Sequence, residues 1–132
     1  GSGILAVAAE RRGAAVVVAL DTDPMAAWEA RFTARAQQPP CRPLIVAGGV
    51  ECLDDENFDI VLCNMISAEF APILGEIRRV LSSDGIVVFS GILECELRTV
   101  RAMLVEHGLE PLSNRTLRGW TSLCARRGGR RS

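Results

Sequence analysis

Residues whose type and spacing can do chemistry are few in this sequence, and most lie near its start. The opening GSGILAVAAERRGAAVVVALDTDP sets Gly1 and Gly3 ahead of an alanine-rich stretch and ends an apolar run at Asp21. In doubly wound α/β proteins a glycine turn joins a buried strand to a helix, and an acidic residue ends the next strand about 20 residues later. The turn, the helix, the second strand and the acid are all legible. The first strand, which should precede the turn, is not. A second polar side chain stands at the end of an apolar run at Asn64, in FDIVLCN.

Other reactive groups are scattered. Cys41, Cys52, Cys63, Cys95 and Cys124 are odd in number and include no C-x-x-C pair, so neither a zinc nor a disulfide framework is indicated and reduced, buried thiols are expected. His107 is the only histidine, and with Gly108 behind it reads as the C-terminal stop of a helix, so no metal site is expected. All fifteen basic residues are arginine, which removes lysine Schiff-base chemistry. With a net charge of −1 there is no basic face for a dedicated nucleic-acid site. No apolar run approaches the roughly 18 residues of a membrane span, and a cytoplasmic location is the default expectation.

The elements that must position these residues alternate. Ile4 to Arg12 reads as a helix stopped by Gly13, and AVVVAL as a strand covered on both faces. Asp23-Pro24 caps and opens a second helix reaching about Gln38. LIVAG and FDIVLCN are strands, a helix spans about Ala68 to Leu81, and SSDG turns into the strand IVVFSG. Leu97, Val100, Met103 and Leu104 share a helical face that should pack on the sheet. LEPLSNRTLR and WTSLCAR meet at Arg118-Gly119 with no helix between them, so they must pair antiparallel. One domain over 1–126 and a disordered Arg/Gly tail over 127–132, with RNA contact as its minor reading, complete the organisation.

A mostly parallel sheet closed by an antiparallel hairpin resembles the Rossmann-like class I S-adenosylmethionine-dependent methyltransferases. GSGILAVAA, ALDTDPMA, FDIVLCNMI, LSSDGIVVFSGILE and GWTSLCARR are similar, in order and spacing, to the bacterial ribosomal protein L-eleven methyltransferases, the PrmA-like family. GSGILA and SGILE are the most specific of these. The family's N-terminal recognition domain, linker, G-T-G-T-H segment and first strand have no counterpart here, and VAGGVECLDDEN matches poorly on the adenine side.

The resemblance implies S-adenosyl-L-methionine as cofactor and amines of a ribosomal protein, on lysine or a chain terminus, as substrate. It places Gly1 and Gly3 in a turn that gives close backbone approach to the cofactor. Asp21 is placed where a carboxylate accepts from both ribose hydroxyls. Asn64 falls beside the cofactor's methyl group, where its amide would orient the incoming amine as well as touch the cofactor. Met65, Ile66 and Trp120 are expected to be core. Two other functions fit the same residues: a cofactor-binding remnant or interaction module, and a small-molecule methyltransferase. The class I sheet puts its first strand in the centre, so either the flanking strands close up or another segment or chain fills the slot.

Overall fold

A computed structural model describes residues 1–129. The chain packs as two compact units, Gly1–Cys52 and a second beginning at Leu53. The strands divide in the same way, into a sheet of two and a sheet of four.

In the first unit α1 spans Ile4–Arg11 and α2 spans Pro24–Arg35, and the parallel strands β1, Val18–Asp21, and β2, Leu44–Ala47, pair along their whole length. Gly13 at φ +96° follows the end of α1, as its position in the sequence implies. Asp23 caps α2 by accepting from the Met25 amide at 2.9 Å, with Pro24 in the first turn. α2 ends three residues before Gln38, because the Ala34 carbonyl receives the amide of Cys41 and the Gln37 side chain turns back to the Thr33 carbonyl. β1 is half-buried throughout, not covered on both faces, and its one sheet partner among the described residues is β2. Apolar packing is light here: Val7, Ala34 and Cys41 cluster, joined in burial by the small side chains of Ala6, Ala27 and Ala30.

The second unit holds β3, Phe58–Asn64; a short α3, Ser67–Phe70; α4, Leu74–Val80; β4, Leu81–Leu93; α5, Leu97–Glu106; β5, Leu109–Leu117; and β6, Trp120–Arg127. Its sheet runs β3-β4-β6-β5, with the first pair parallel and the other two antiparallel. The single helix expected over 68–81 is broken at Pro72, which sits in a 3₁₀ turn, Ala71–Ile73, between α3 and α4. A proline in a helix interior removes a donor and clashes with the preceding turn. SSDG lies within β4, but the β3 ladder skips from Leu81 to Ile86 across it, so those residues form the irregularity that a turn sequence leads one to expect.

Alternation along the strands selects one buried face. Val87 and Phe89 of β4 and Leu123 and Ala125 of β6 are buried against Phe70, Leu74, Ile77, Val100 and Leu104, and the Phe70 and Phe89 rings meet with centroids 4.7 Å apart. Leu97 and Met103 pack against the same core, so the expected face of α5 is the one it uses. His107 ends α5, its Nδ1 2.9 Å from the Met103 carbonyl, with Gly108 at φ +72° behind it.

β5 and β6 are joined by Arg118 and Gly119 alone, both at positive φ, the twist a two-residue hairpin requires. β6 continues one residue into the stretch assigned to a tail: Arg127 pairs with Leu109 and donates to the Leu81 carbonyl at 2.6 Å. Residues 130–132 of that stretch lie outside the described residues.

Candidate functional site

Asp21 ends β1, and both of its carboxylate oxygens are engaged. Oδ1 accepts from the Asp23 amide at 2.9 Å, and Oδ2 accepts from the Gly1 amino group. The Gly1 amine first, and the Asp23 amide after it, hold the Asp21 carboxyl below its ordinary value of 3.8. Gly48 N–H donates to the Asp21 carbonyl at 2.9 Å, so the end of β1 is tied to the end of β2 as well. The result is an ionised carboxylate of fixed orientation at a strand end, a quarter exposed. Acceptors of that kind bind paired hydroxyls well, because charge-assisted hydrogen bonds are the stronger class.

Gly1 and Gly3 fall at the same place for different reasons. Nothing lies where a Cβ on Gly1 would sit. Gly3 stands at the N-terminus of α1 with φ +81°, and a Cβ there would lie 2.8 Å from the Ala30 Cβ and 2.9 Å from its Cα. Gly3 is therefore required by its left-handed backbone and by the approach of α1 to α2, whatever else the turn binds. Gly1, Gly3 and Asp21 belong to the first unit, and Asn64 to the second.

Asn64 is the last residue of β3 and pairs with Ser90 of β4. Its side chain is exposed and, among the described residues, has no hydrogen-bond partner. The β4–β6 register slips between Phe89 and Ile92, and Gly91 in that bulge has φ +87°. A Cβ on Gly91 would lie 3.0 Å from the Met65 carbonyl oxygen and 3.4 Å from Asn64 Oδ1. A free amide at a strand end, with a bare backbone beside it, can accept from an N–H brought to it.

Several neighbours differ from their expected place. Met65 packs partly buried against the core, but Ile66 and Trp120 are 52% and 53% exposed, so neither is core. Trp120 pairs across the sheet with Leu93 and with Leu117, both also exposed, at the end where the hairpin turns. Cys41 and Cys63 are buried as expected, whereas Cys52 and Cys95 are exposed. Sequence reasoning did not single out Ser67, Gly91 or Glu96. The signal for Gly91 was the SGILE stretch, whose acid is Glu94, whereas Glu96 lies two residues beyond it.

Among the described residues no group of three or more His, Cys, Asp or Glu side chains could hold a metal ion, and no helix is long and apolar enough to cross a membrane. One hollow of about 390 Å³ in the first unit is lined by Val16, Val17, Arg42 and Leu44, at the opposite ends of β1 and β2 from Asp21.

Residues 1–128 match the family profile described as ribosomal protein L11 methyltransferase (PrmA). The chain is 30% identical over 126 residues to a ribosomal protein L11 methyltransferase of Alkaliphilus oremlandii, covering 96% of this chain and 40% of that one. It is 34% identical to the protein of the same name from Desulfitobacterium hafniense, with the same coverage. The chain thus spans about 40% of the length of these curated relatives. Among solved structures, a ribosomal protein L11 methylase from Lactobacillus delbrueckii subsp. bulgaricus superposes with a TM-score of 0.89 at 26% identity, covering 98% of this chain and 66% of that chain. Magnesium protoporphyrin IX methyltransferase from Synechocystis, solved with bound SAM, superposes at 0.77 and 17% identity, a likeness of fold alone. A profile match over residues 1–128 means that the chain belongs to the ribosomal protein L11 methyltransferase (PrmA) family.

Proposed function

We propose that the chain is the cofactor-binding and methyl-transfer part of an S-adenosylmethionine-dependent protein N-methyltransferase, acting on lysine or terminal amines of ribosomal protein L11. The observation that carries this reading is the family match over residues 1–128, which includes the carboxylate at the end of β1 and the amide at the end of β3.

The donor set fits the cofactor's chemistry. Asp21 offers an ionised carboxylate of fixed direction for vicinal ribose hydroxyls, and Gly1 and Gly3 present backbone without a side chain. When bound, S-adenosylmethionine supplies a methyl group on a positively charged sulfur. Asn64 would accept an N–H of the neutral substrate amine and aim its lone pair, and it does so without taking a charge. Asn64 would thereby align the amine so that an N–C bond could form as the C–S bond breaks, which would leave a neutral thioether and release the amine's proton to water. Such a displacement needs alignment and desolvation more than a strong base.

The test is methyl transfer from tritium-labelled S-adenosylmethionine to intact ribosomal protein L11, followed by mapping of the labelled amines. Label on lysine or terminal amines is the expected outcome. Label only on small molecules, or cofactor binding with no label on the ribosomal protein, would overturn the reading.

A further inference from the structure

The stretch that leaves β3 is held to the end of β4 by more than the strand ladder. Met65 N–H donates to the Ser90 carbonyl at 3.2 Å, and Gly91 brings its bare backbone against the Met65 carbonyl. Two residues further on, Ser67 Oγ donates to Glu96 Oε1 at 2.7 Å in a part-buried bond across 29 residues of sequence. The other oxygen of the same carboxylate accepts from the Leu93 amide at 3.1 Å. One side chain therefore joins the segment leaving β3 to the segment leaving β4, with Asn64 at the root of the first and Gly91 just before the second.

A cap at the start of the 3₁₀ turn Glu94–Glu96 needs only the bond to Leu93. The second oxygen, on Ser67, does nothing for the cap. It fixes the loop that begins at Asn64. We propose that Glu96 is a positioning residue for methyl transfer: by clasping Ser67 and the Leu93 amide it holds Asn64 at the angle from which its amide meets the amine. This rests on the reading of Asn64 given above. Effects of this kind fall on alignment, where a displacement of about 1 Å can cost a hundredfold in rate.

Glu96→Gln keeps both bonds, since its carbonyl can accept from Leu93 and its NH₂ can donate to Ser67 Oγ. Glu96→Ala loses both, and Ser67→Ala loses only the link to the loop while leaving the cap in place. With S-adenosylmethionine and ribosomal protein L11 as probes, Glu96→Ala and Ser67→Ala should each lower kcat by about fivefold to tenfold while KM and cofactor Kd stay within about twofold. The double variant should be no slower than the slower single, because the Ser67–Glu96 bond is already lost in either one. Glu96→Gln should recover most of the rate.

In parallel, amide exchange over Asn64–Ile66 should quicken by about tenfold in both alanine variants, with the core amides of α5 unchanged. Unchanged exchange over Asn64–Ile66, quickening spread through α5, or a kcat loss that glutamine does not recover would each overturn the clasp. If the unaltered chain transfers no methyl group, the proposed function fails, and the exchange comparison still decides whether Glu96 holds the loop.

Discussion

Asp21 and Asn64 differ in what surrounds them, and that difference should appear in how each fails. The Asp23 amide already fixes the direction of the Asp21 carboxylate. Its removal takes away an acceptor that serves cofactor and transition state alike, so Asp21→Ala should weaken S-adenosylmethionine binding by about 1.5–3 kcal/mol. Asn64→Ala should instead lower turnover at saturating cofactor by more than about tenfold, with a smaller change in cofactor affinity. Calorimetric titration and steady-state kinetics on both variants separate the effects, and an Asn64→Ala protein that loses affinity but not turnover would make Asn64 a cofactor contact only.

A second residue-scale expectation concerns Cys63. Burial, and then the nearby Glu69 charge, push its thiol up to about 11 from an ordinary 9.0. The folded state keeps the proton through a window in which the unfolded chain gives it up. Stability is therefore full below the ordinary thiol value and declines as pH rises towards the folded one, by about 2–3 kcal/mol in all. Lysine and tyrosine are both absent from the sequence, so this alkaline window is free of their titration. Urea unfolding in mildly and strongly alkaline buffer should register the decline in the native chain and not in Cys63→Ala.

Elements were legible in the sequence where a local rule was unopposed. β3 is readable to the residue because the apolar run Ile60–Cys63, with β-branched Ile60 and Val61, ends at the polar Asn64, and α2 begins where Asp23-Pro24 must begin it. The α3–α4 stretch was misjudged because apolar spacing outweighed Pro72, although the proline was visible. Large aromatics usually bury, so the sequence points Trp120 to the core; its exposure goes with its place beside the β5–β6 turn, which a single sequence does not display. Ser67 and Glu96 were hidden for a similar reason, since their bond spans 29 residues. Gly3 carries the clearest element-scale prediction. Gly3→Ala must place a methyl group 2.8 Å from the Ala30 Cβ in a left-handed backbone, and should destabilise the first unit by about 2–4 kcal/mol. Ala30→Gly should relieve this only in part, because the Ala30 Cα is also too close, at 2.9 Å. Amide exchange in α1 and α2 measures both.

At the scale of the molecule, the two units are unequally built. The second buries Phe70, Phe89, Leu74, Leu81, Ile92, Leu104, Leu109 and Leu123 in one core, while the first relies on alanines, Val7 and Cys41. Apolar burial stabilises by about 25 cal/mol per Å², so methyl-sized side chains contribute little. Rising urea should therefore open Gly1–Cys52 before the second unit, with exchange protection lost from β1 and α1 while β4 and β6 still hold theirs. A single transition with uniform loss of protection would contradict this.

The two tryptophans turn that expectation into an optical measurement. Trp28 lies on α2, stacked on Phe32 with ring centroids 6.2 Å apart, and Trp120 lies on β6. The sequence holds no third. Each unit thus carries one intrinsic fluorophore, and each indole is more than half exposed, at 59% and 53%. Replacing either by phenylalanine disturbs little packing and leaves a chain whose emission reports on one unit alone, so the molecule is already labelled for following its halves separately.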